Sequence, residues 1–453
     1  MISNFANTFA ASSLNIAVPH IGKEFSASAT SLAWIVISFL MVSALLSIPI
    51  GRIGDMYGRK PILKSGILLF CIAAALNIFA PNMTFFLFFR VLQGIGSAMI
   101  FATNTAILLD VYPPSKRGSV LGTSVASVYA GSSFGPVIGG LITNAFGWRA
   151  VFVAIAALAL VSFIVAMVRS PKEAKIETSQ KLNFASSVLY VLSLGCIMFG
   201  FVTLAQHIWS YIILAVGIVL VILFVKREMH TEVPVIEVRL FKNNPVFVLS
   251  NLAALFNYAA IYAILYLMSL YLQLARGFSA DVSGLIMISQ PVVQAILSPI
   301  AGRLSDSKSP GIIASFGMAC CAGALFMFAF VDEGTSMIYV IGGLILTGVG
   351  ISFFNSPNSN IIYSSVSKKE YGVTSSIIST ARTFGQVVGM AILTIIINKV
   401  IGSIPIEQVA PGAIVRDMHI SFFVFTAICV VGIFFALARK KQQPIVDIDD
   451  MDE

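Results

Sequence analysis

Uncharged apolar runs long enough to cross a bilayer recur along this chain, at 25–51, 91–109, 150–168, 282–302 and 418–438. About 20 such residues form a helix that crosses the hydrocarbon layer, and inside that layer only a helix or a closed barrel satisfies its own backbone polar groups. Of the 453 residues, 58% are hydrophobic and 11% are charged, too apolar a balance for a domain with a watery surface. Reading the runs between charged or Gly/Pro-marked turns predicts fourteen spans, the first over 2–19 and the last over 419–438. The expectation is an all-α integral membrane protein.

A net charge of +8 would suit a nucleic-acid binder, so the placement of the 28 basic residues decides between the two readings. With the N-terminus inside, five lie outside (Lys23, Arg149, Arg276, Lys399, Arg416), two lie within spans (Arg90, Arg382), and the others fall in cytoplasmic loops or the tail. That is positive-inside asymmetry, which puts both termini in the cytoplasm and leaves no basic patch for a nucleic acid. The host membrane expected is a prokaryotic cytoplasmic membrane. Cys71, Cys196, Cys320, Cys321 and Cys429 all sit in predicted spans without C-x-x-C spacing, as small packing residues. The first apolar run has no basic segment before it and reads as a span, not a signal peptide; a start upstream of Met1 stays open.

Between the second and third runs lies Gly51-Arg52-Ile53-Gly54-Asp55-Met56-Tyr57-Gly58-Arg59-Lys60-Pro61-Ile62-Leu63, read as a compact hydrophilic turn. Its glycines permit left-handed turns and close helix approach. Asp55, among Arg52, Arg59 and Lys60, suits charge-assisted hydrogen bonds, as in a latch. A solvated basic turn is the plainer alternative, and a second copy argues against it: Pro299-Ile300-Ala301-Gly302-Arg303-Leu304-Ser305-Asp306 echoes 49–55. Gly348-Val349-Gly350 likewise echoes Gly94-Ile95-Gly96, and 383–389 echoes 133–139. The prediction is two six-span halves, 1–168 and 243–438, flanking a linker with two extra spans at 169–242, and an acidic tail at 439–453.

The loop pattern G-x-x-x-D-x-x-G-R-K resembles the signature of the major facilitator superfamily. In span 1, Ser12 to Pro19 resembles the D-x-T-x-x-N-x-A-L-P pattern of its fourteen-span drug:proton antiporter branch (EmrB/QacA type), although Ala10 stands where that pattern has an acid. Arg90-x-x-Gln93-Gly94 is similar to the branch's span-4 motif. Gly122, Gly131, Gly135, Pro136, Gly139 and Gly140 match its antiporter motif at every position. The resemblance implies the major facilitator fold and a secondary active transporter that exports drug-like or toxic amphipathic molecules in exchange for protons by alternating access. It further implies a cytoplasmic gate at Gly51, Asp55, Gly58, Arg59, Lys60, Arg303 and Asp306, and a monomer by family default. A carrier of one metabolite, antibiotic or lipid, working as a uniporter or with other coupling, shares these motifs. A sensor or membrane enzyme fits less well, because no P-loop, metal or nucleophile motif appears: the only Gly-Lys pair, Gly22-Lys23, is followed by Glu24. No cofactor or metal is expected.

At roughly 100° per residue, Arg90, Gln93, Ser97, Phe101 and Asn104 share one stripe of span 4. An arginine at membrane depth costs about 2.5–3.5 kcal/mol on insertion scales, so it either faces an aqueous cavity or ends in a structural pair. Repeats of this kind place a substrate cavity at their interface. Candidates there are Asn251, Tyr258, Tyr262 and Tyr266 in span 9, Gln290 and Gln294 in span 10, Asn355 and Asn358 in span 12, and Arg382 in span 13. The tyrosine stripe serves packing equally well, and the repeat offset sets Asn358 opposite Asn104. Every acidic residue is placed at a span end, in a loop or in the tail; Asp110, at the inner end of span 4, is a proton-coupling candidate or simply a helix-end charge. Without a carboxylate in the cavity, Arg90 dominates its electrostatics and a neutral, zwitterionic or anionic substrate is expected.

Overall fold

The computed structural model describes residues 1–111, 114–169, 183–204, 208–231, 234–236, 238–242, 244–307, 309–366, 371–402, 404–405 and 408–439. Most of the predicted charged linker and all but the first residue of the acidic tail lie outside these.

The described chain is helical. In order the helices are α1 (Ile2–Glu24), α2 (Ala29–Tyr57), α3 (Arg59–Ile78), α4 (Met83–Val111), α5 (Pro114–Phe146), α6 (Trp148–Arg169), α7 (Phe184–Thr203), α8 (Ser210–His230), the single turn α9 (Arg239–Lys242), α10 (Pro245–Leu270), α11 (Ala280–Met287), α12 (Ser289–Ser307), α13 (Pro310–Phe328), α14 (Met337–Ser364), α15 (Tyr371–Val400) and α16 (Pro411–Leu437). A π-helical turn, Tyr271–Ala275, closes α10. Eleven segments are long and apolar enough to cross a membrane, α11 and α12 counting together as Ala280–Ser305. The long helices α1, α5 and α8 are not among them, α1 and α5 being rich in Ser, Thr, Asn and Gly.

Local chemistry sets the helix ends. The side chains of Ser28, Asn183 and Asn244 accept hydrogen bonds from Ser31, Ser186 and Phe247 N–H at 3.2, 3.1 and 2.9 Å, capping α2, α7 and α10. Proline opens α10, α13 and α16, where its missing N–H costs nothing. The motif at 51–63 corrects the sequence expectation of a turn along its whole length. Gly51 and Gly54 continue α2 as helix, and the chain breaks only at Gly58, whose φ of 104° lies in the region that favours glycine.

Packing follows one scheme twice. Among the first six helices, α1 packs on α5 and α6, α2 on α4, and α3 on α4 and α6. Among the last seven, α10 packs on α15 and α16, α12 on α14, and α13 on α14 and α16. The echoed glycines make matching contacts. A Cβ on Gly94 would sit 2.8 Å from Phe39 O of α2, and one on Gly348 2.5 Å from Gln290 O at the start of α12. On Gly139 it would lie 2.6 Å from Ser13 Cβ of α1, and on Gly389 it would meet Ala259 O of α10. Each short repeat therefore marks a place where one backbone touches another. The two groups meet where α5 lies on α11, α2 on α15 and α1 on α10, while α7 and α8 pair with each other and rest through α7 on α15 and α2.

The bundle has two ends: one carries Met1 and the α2–α3 break, the other carries Glu24 and the start of α16. At this second end Ser269 Oγ donates to Asn15 O at 2.6 Å and Gln273 Nε2 to Ile16 O at 3.1 Å, tying α1 to α10 and its π turn.

Candidate functional site

Arg90 enters from α4 about seven residues after its start, roughly 10 Å along the axis. It is 1% exposed. Its Nε donates to Ile35 O of α2 at 3.2 Å, its NH1 to Gln93 Oε1 at 2.6 Å, and the guanidinium lies over the Phe39 ring, 4.4 Å from the centroid. A buried cation is thus held by a carbonyl, an amide and a π face, with no carboxylate among these partners. Tyr262, from α10, lies within electrostatic range of it. The guanidinium and phenol belong to different helix groups, so their approach crosses the interface between them.

Below Arg90 on the same stripe, two amide networks join α4 to its neighbours. Asn7 Nδ2 donates to Ser97 Oγ at 2.9 Å, Ser97 Oγ returns a bond to Asn7 Oδ1 at 3.1 Å, and Ser43 Oγ of α2 lies 3.2 Å from Ser97 Oγ. Asn104 Nδ2 donates to Asn4 Oδ1 at 2.6 Å, and Asn4 Nδ2 to Ser124 Oγ of α5 at 3.0 Å. The sequence stripe of Arg90, Gln93, Ser97 and Asn104 is therefore a shared buried face, but it includes Asn4, Asn7 and Ser43, which sequence reasoning missed. The signal was present: Asn4 and Asn7 are three apart on α1, hence on one face.

The candidates from the second group are less gathered. Asn358 Nδ2 donates to Ser250 O of α10 at 3.2 Å, so Asn358, like Asn104, ties to the first helix of its own group. Asn251 bonds Phe247 O of its own helix, and Arg382 reaches Ser379 Oγ of its own helix at 3.4 Å. Gln290 Oε1, Asn355 Oδ1 and Asn358 Oδ1 are buried without a partner among the described residues, and Gln294 is half-buried on α12. Tyr258 is half-buried on α10, one turn from Tyr262.

At the Met1 end, Gly51 and Gly54 face α4, with Ala102 Cβ and Thr103 Cγ2 at 3.8 and 3.2 Å from a Cβ built on each. Arg52 donates to Pro234 O at 2.5 Å, Lys60 is half-buried, and Arg303 is exposed. The side chains of Asp55, Asp110 and Asp306, and the surroundings of Gly122 in α5, lie outside those described. The rest of the antiporter motif splits between two partners. Gly131, Gly135 and Gly139 abut Thr8, Ser12 and Ser13 of α1, whereas Gly140 abuts Ala280 O and Pro136 O abuts Gly284, both of α11. Ala10 is fully buried in α1.

One acidic residue departs from the sequence expectation. Asp417 was placed outside the last span, but α16 starts at Pro411, and the carboxylate is inside the helix bundle and 1% exposed. Hydropathy starts that span only after both Arg416 and Asp417, but the helix carries Arg416 exposed and Asp417 buried.

The profile of the Major Facilitator Superfamily matches residues 1–390 and 250–448. Similar proteins include the uncharacterised transporter YebQ of Escherichia coli (25% identical, covering 94% of this chain and 92% of that protein) and the riboflavin transporter RibZ of Clostridioides difficile (25%, covering 98% and 97%). The multidrug efflux pump LfrA of Mycolicibacterium smegmatis is 28% identical, covering 84% of this chain and 76% of that protein. Among solved structures, a bacterial homologue of the human lysosomal transporter Spinster in an inward-facing, occupied conformation superposes with a TM-score of 0.70 at 16% identity, covering 96% of this chain and 94% of that one.

Proposed function

The chain belongs to the Major Facilitator Superfamily and is a multi-pass transporter of the cytoplasmic membrane, not an enzyme, and from that premise we propose that it exports amphipathic drug-like or toxic small molecules in exchange for protons. Multidrug relatives such as LfrA support the substrate class, and the motif at Gly131 to Gly140 supports exchange. In this proposal α1–α6 (1–168) and the six spans of 243–438 are rocking halves, α7 and α8 with their linker (169–242) are the extra pair, and 439–453 is the tail. All fourteen long helical segments then cross the membrane with both termini in the cytoplasm, and the protein works as a monomer. The Met1 end is the cytoplasmic side, where Gly51, Asp55, Gly58, Arg59, Lys60, Arg303 and Asp306 form the gate.

The observation that carries the reading is Arg90: a buried cation of one half within electrostatic range of Tyr262 of the other. Such a group changes surroundings whenever the halves rock, so it can report substrate occupancy on both sides. Gln93, Asn104, Tyr258, Gln290, Gln294, Asn355, Asn358 and Arg382 line or support the path in this proposal, and Asp110 is its inner coupling candidate. The test is purified protein in liposomes with an imposed pH gradient, recording lumenal pH as cationic, neutral and anionic amphiphiles are added. Proton flux that Arg90→Ala abolishes supports the reading, with neutral or anionic compounds favoured. Preference for permanently dicationic compounds sinks the Arg90 part.

A second reading is a carrier of one specific metabolite, antibiotic or lipid, as a uniporter or with different coupling. Two findings favour it: fully buried Ala10 in place of an acid, and near full-length similarity to a riboflavin transporter. Solute equilibration without any proton movement would select it.

A further inference from the structure

The described helices hold two fully buried carboxylates, and their surroundings differ. Glu228, at the end of α8, is held through one oxygen: its Oε2 accepts from Val235 and Ile236 N–H at 2.5 and 2.9 Å, while its Oε1 has no partner among the described residues. Asp417, within a long apolar helix, likewise has its Oδ1 buried with no hydrogen-bond partner among the described residues. An anion kept out of water without a partner is costly, so a counter-charge must reach it when it ionises, or it must carry one.

Depth adds a second observation. Asp417 lies six residues into α16, roughly 9 Å along its axis from the end of the bundle where α4 also starts. Arg90 lies roughly 10 Å in from that same end. Tyr262 and Tyr266 are one helical turn apart on α10, Tyr262 within electrostatic range of Arg90 and Tyr266 within that of Asp417. A buried base and a buried acid thus lie at similar depth, each near a phenol of the same helix.

Resting on the proton-exchange reading above, we propose that Asp417 is the intramembrane site that takes up and releases the transported proton. The step balances simply: a proton from water at the Glu24 end forms an O–H bond on the carboxylate and neutralises it, and the same bond breaks when the halves rock and the group meets the other side. The position does in α16 what the missing acid at Ala10 would do in α1.

The groups around it leave room for that role. From α10 comes Tyr266. From the π turn comes Tyr271, whose hydroxyl donates to Asp332 O at 2.8 Å and accepts from Arg276 NH1 at 3.1 Å. Arg276 also donates to Thr335 O at 2.7 Å. The titratable side chains of α13, which packs on α16, are Cys320 and Cys321, and the charged ones of α15 are Arg382 and Lys399. On α16 itself Arg416 is exposed, and His419 is taken up by Val331 O at 3.0 Å and Asp332 Oδ1 at 3.3 Å.

The test uses the proton itself as probe: infrared difference spectra of the purified full-length protein between acid and alkaline pH, with no transported compound added. We expect a protonated-carboxyl band in the wild type, its loss in Asp417→Asn, and a displaced band in Asp417→Glu, which serves if the Asn variant does not fold. A band that survives Asp417→Asn unchanged overturns the proposal, as does a wild type showing only carboxylate bands, the result for a site that holds sodium. The parent reading fails separately. If the band behaves as expected while no amphiphile evokes proton flux in wild-type liposomes, exchange is wrong and the proton site stands; if flux is present and the band ignores Asp417, only this assignment falls.

Discussion

A buried guanidinium held by a carbonyl, an amide and a ring is a demanding arrangement, because each contact uses the planar fork of Arg90. Lysine keeps the charge but supplies a single point donor. Arg90→Lys is therefore expected to insert and fold, while leaving Gln93 Oε1 or Ile35 O without its donor at a cost of about 1–3 kcal/mol. Transport in liposomes should fall roughly fivefold to a hundredfold, since 1.4 kcal/mol is a factor of ten; wild-type rates in Arg90→Lys would show that only charge matters. At the far end of α1, Glu24 accepts from Trp148 Nε1 at 2.7 Å and Arg149 NH1 at 2.6 Å, and Arg149 Nε donates to Ile78 O at 3.1 Å. Partial burial works against ionised Glu24, but the bonds from Arg149 and Trp148 outweigh it and hold the carboxyl below its ordinary value of 4.5. A group depressed on folding stabilises above its unfolded value and loses that contribution as pH falls through the folded one. Glu24→Gln should thus lower thermal stability at neutral pH by roughly 0.2–1 kcal/mol, the range for a half-exposed pair, and the gap should close in strongly acidic buffer. Equal melting temperatures at neutral pH would remove any role for this clasp.

Helix contacts in this bundle depend on glycines whose missing side chains would meet backbone atoms. Gly140 abuts the Ala280 carbonyl across the α5–α11 contact, and backbone cannot rotate aside as a side chain can. Gly140→Ala should therefore push α5 from α11, costing about 1–3 kcal/mol and slowing transport, whereas Gly342→Ala on α14, which meets nothing within 4 Å, should leave both unchanged. Indifference of melting and transport to Gly140→Ala would mean the contact is loose. These contacts were legible beforehand because spacing alone encodes them: 131, 135 and 139 repeat every fourth residue, and 383–389 repeats 133–139. Periodicity also found the Arg90 stripe. It did not single out Asn4 and Asn7, because α1 carries Ser, Thr and Asn on several faces and their spacing alone does not mark the one that meets α4. Nor did it find Asp417, because hydropathy closes a span at a charge while a helix continues through one whenever only one face meets lipid, as Arg416 and Asp417 do on opposite sides of burial. The glycine-rich motif at 51–63 misled in the same way: composition reads as a turn, yet one residue, Gly58, makes the break.

At the scale of the molecule, two helix groups with matching internal contacts touch at the Glu24 end through Asn15, Ile16, Ser269 and Gln273. If transport is a rocking of those groups, this contact must open once per cycle, since a path closed at one end throughout carries nothing. A tether across it should then stop transport without harming the fold. Cysteines at Asn15 and Ser269, in a background lacking Cys71, Cys196, Cys320, Cys321 and Cys429, can be joined by a short cleavable bis-thiol cross-linker. The joined protein is expected to lose exchange almost completely and to regain it on reduction, and each single-cysteine control should be insensitive. A longer cross-linker should restore partial activity, because it permits a fraction of the opening and so measures its amplitude. Full exchange under the short tether would place the moving contact elsewhere, with α7 and α8 next in line, since through α7 they alone lie against helices of both groups without belonging to either packing scheme.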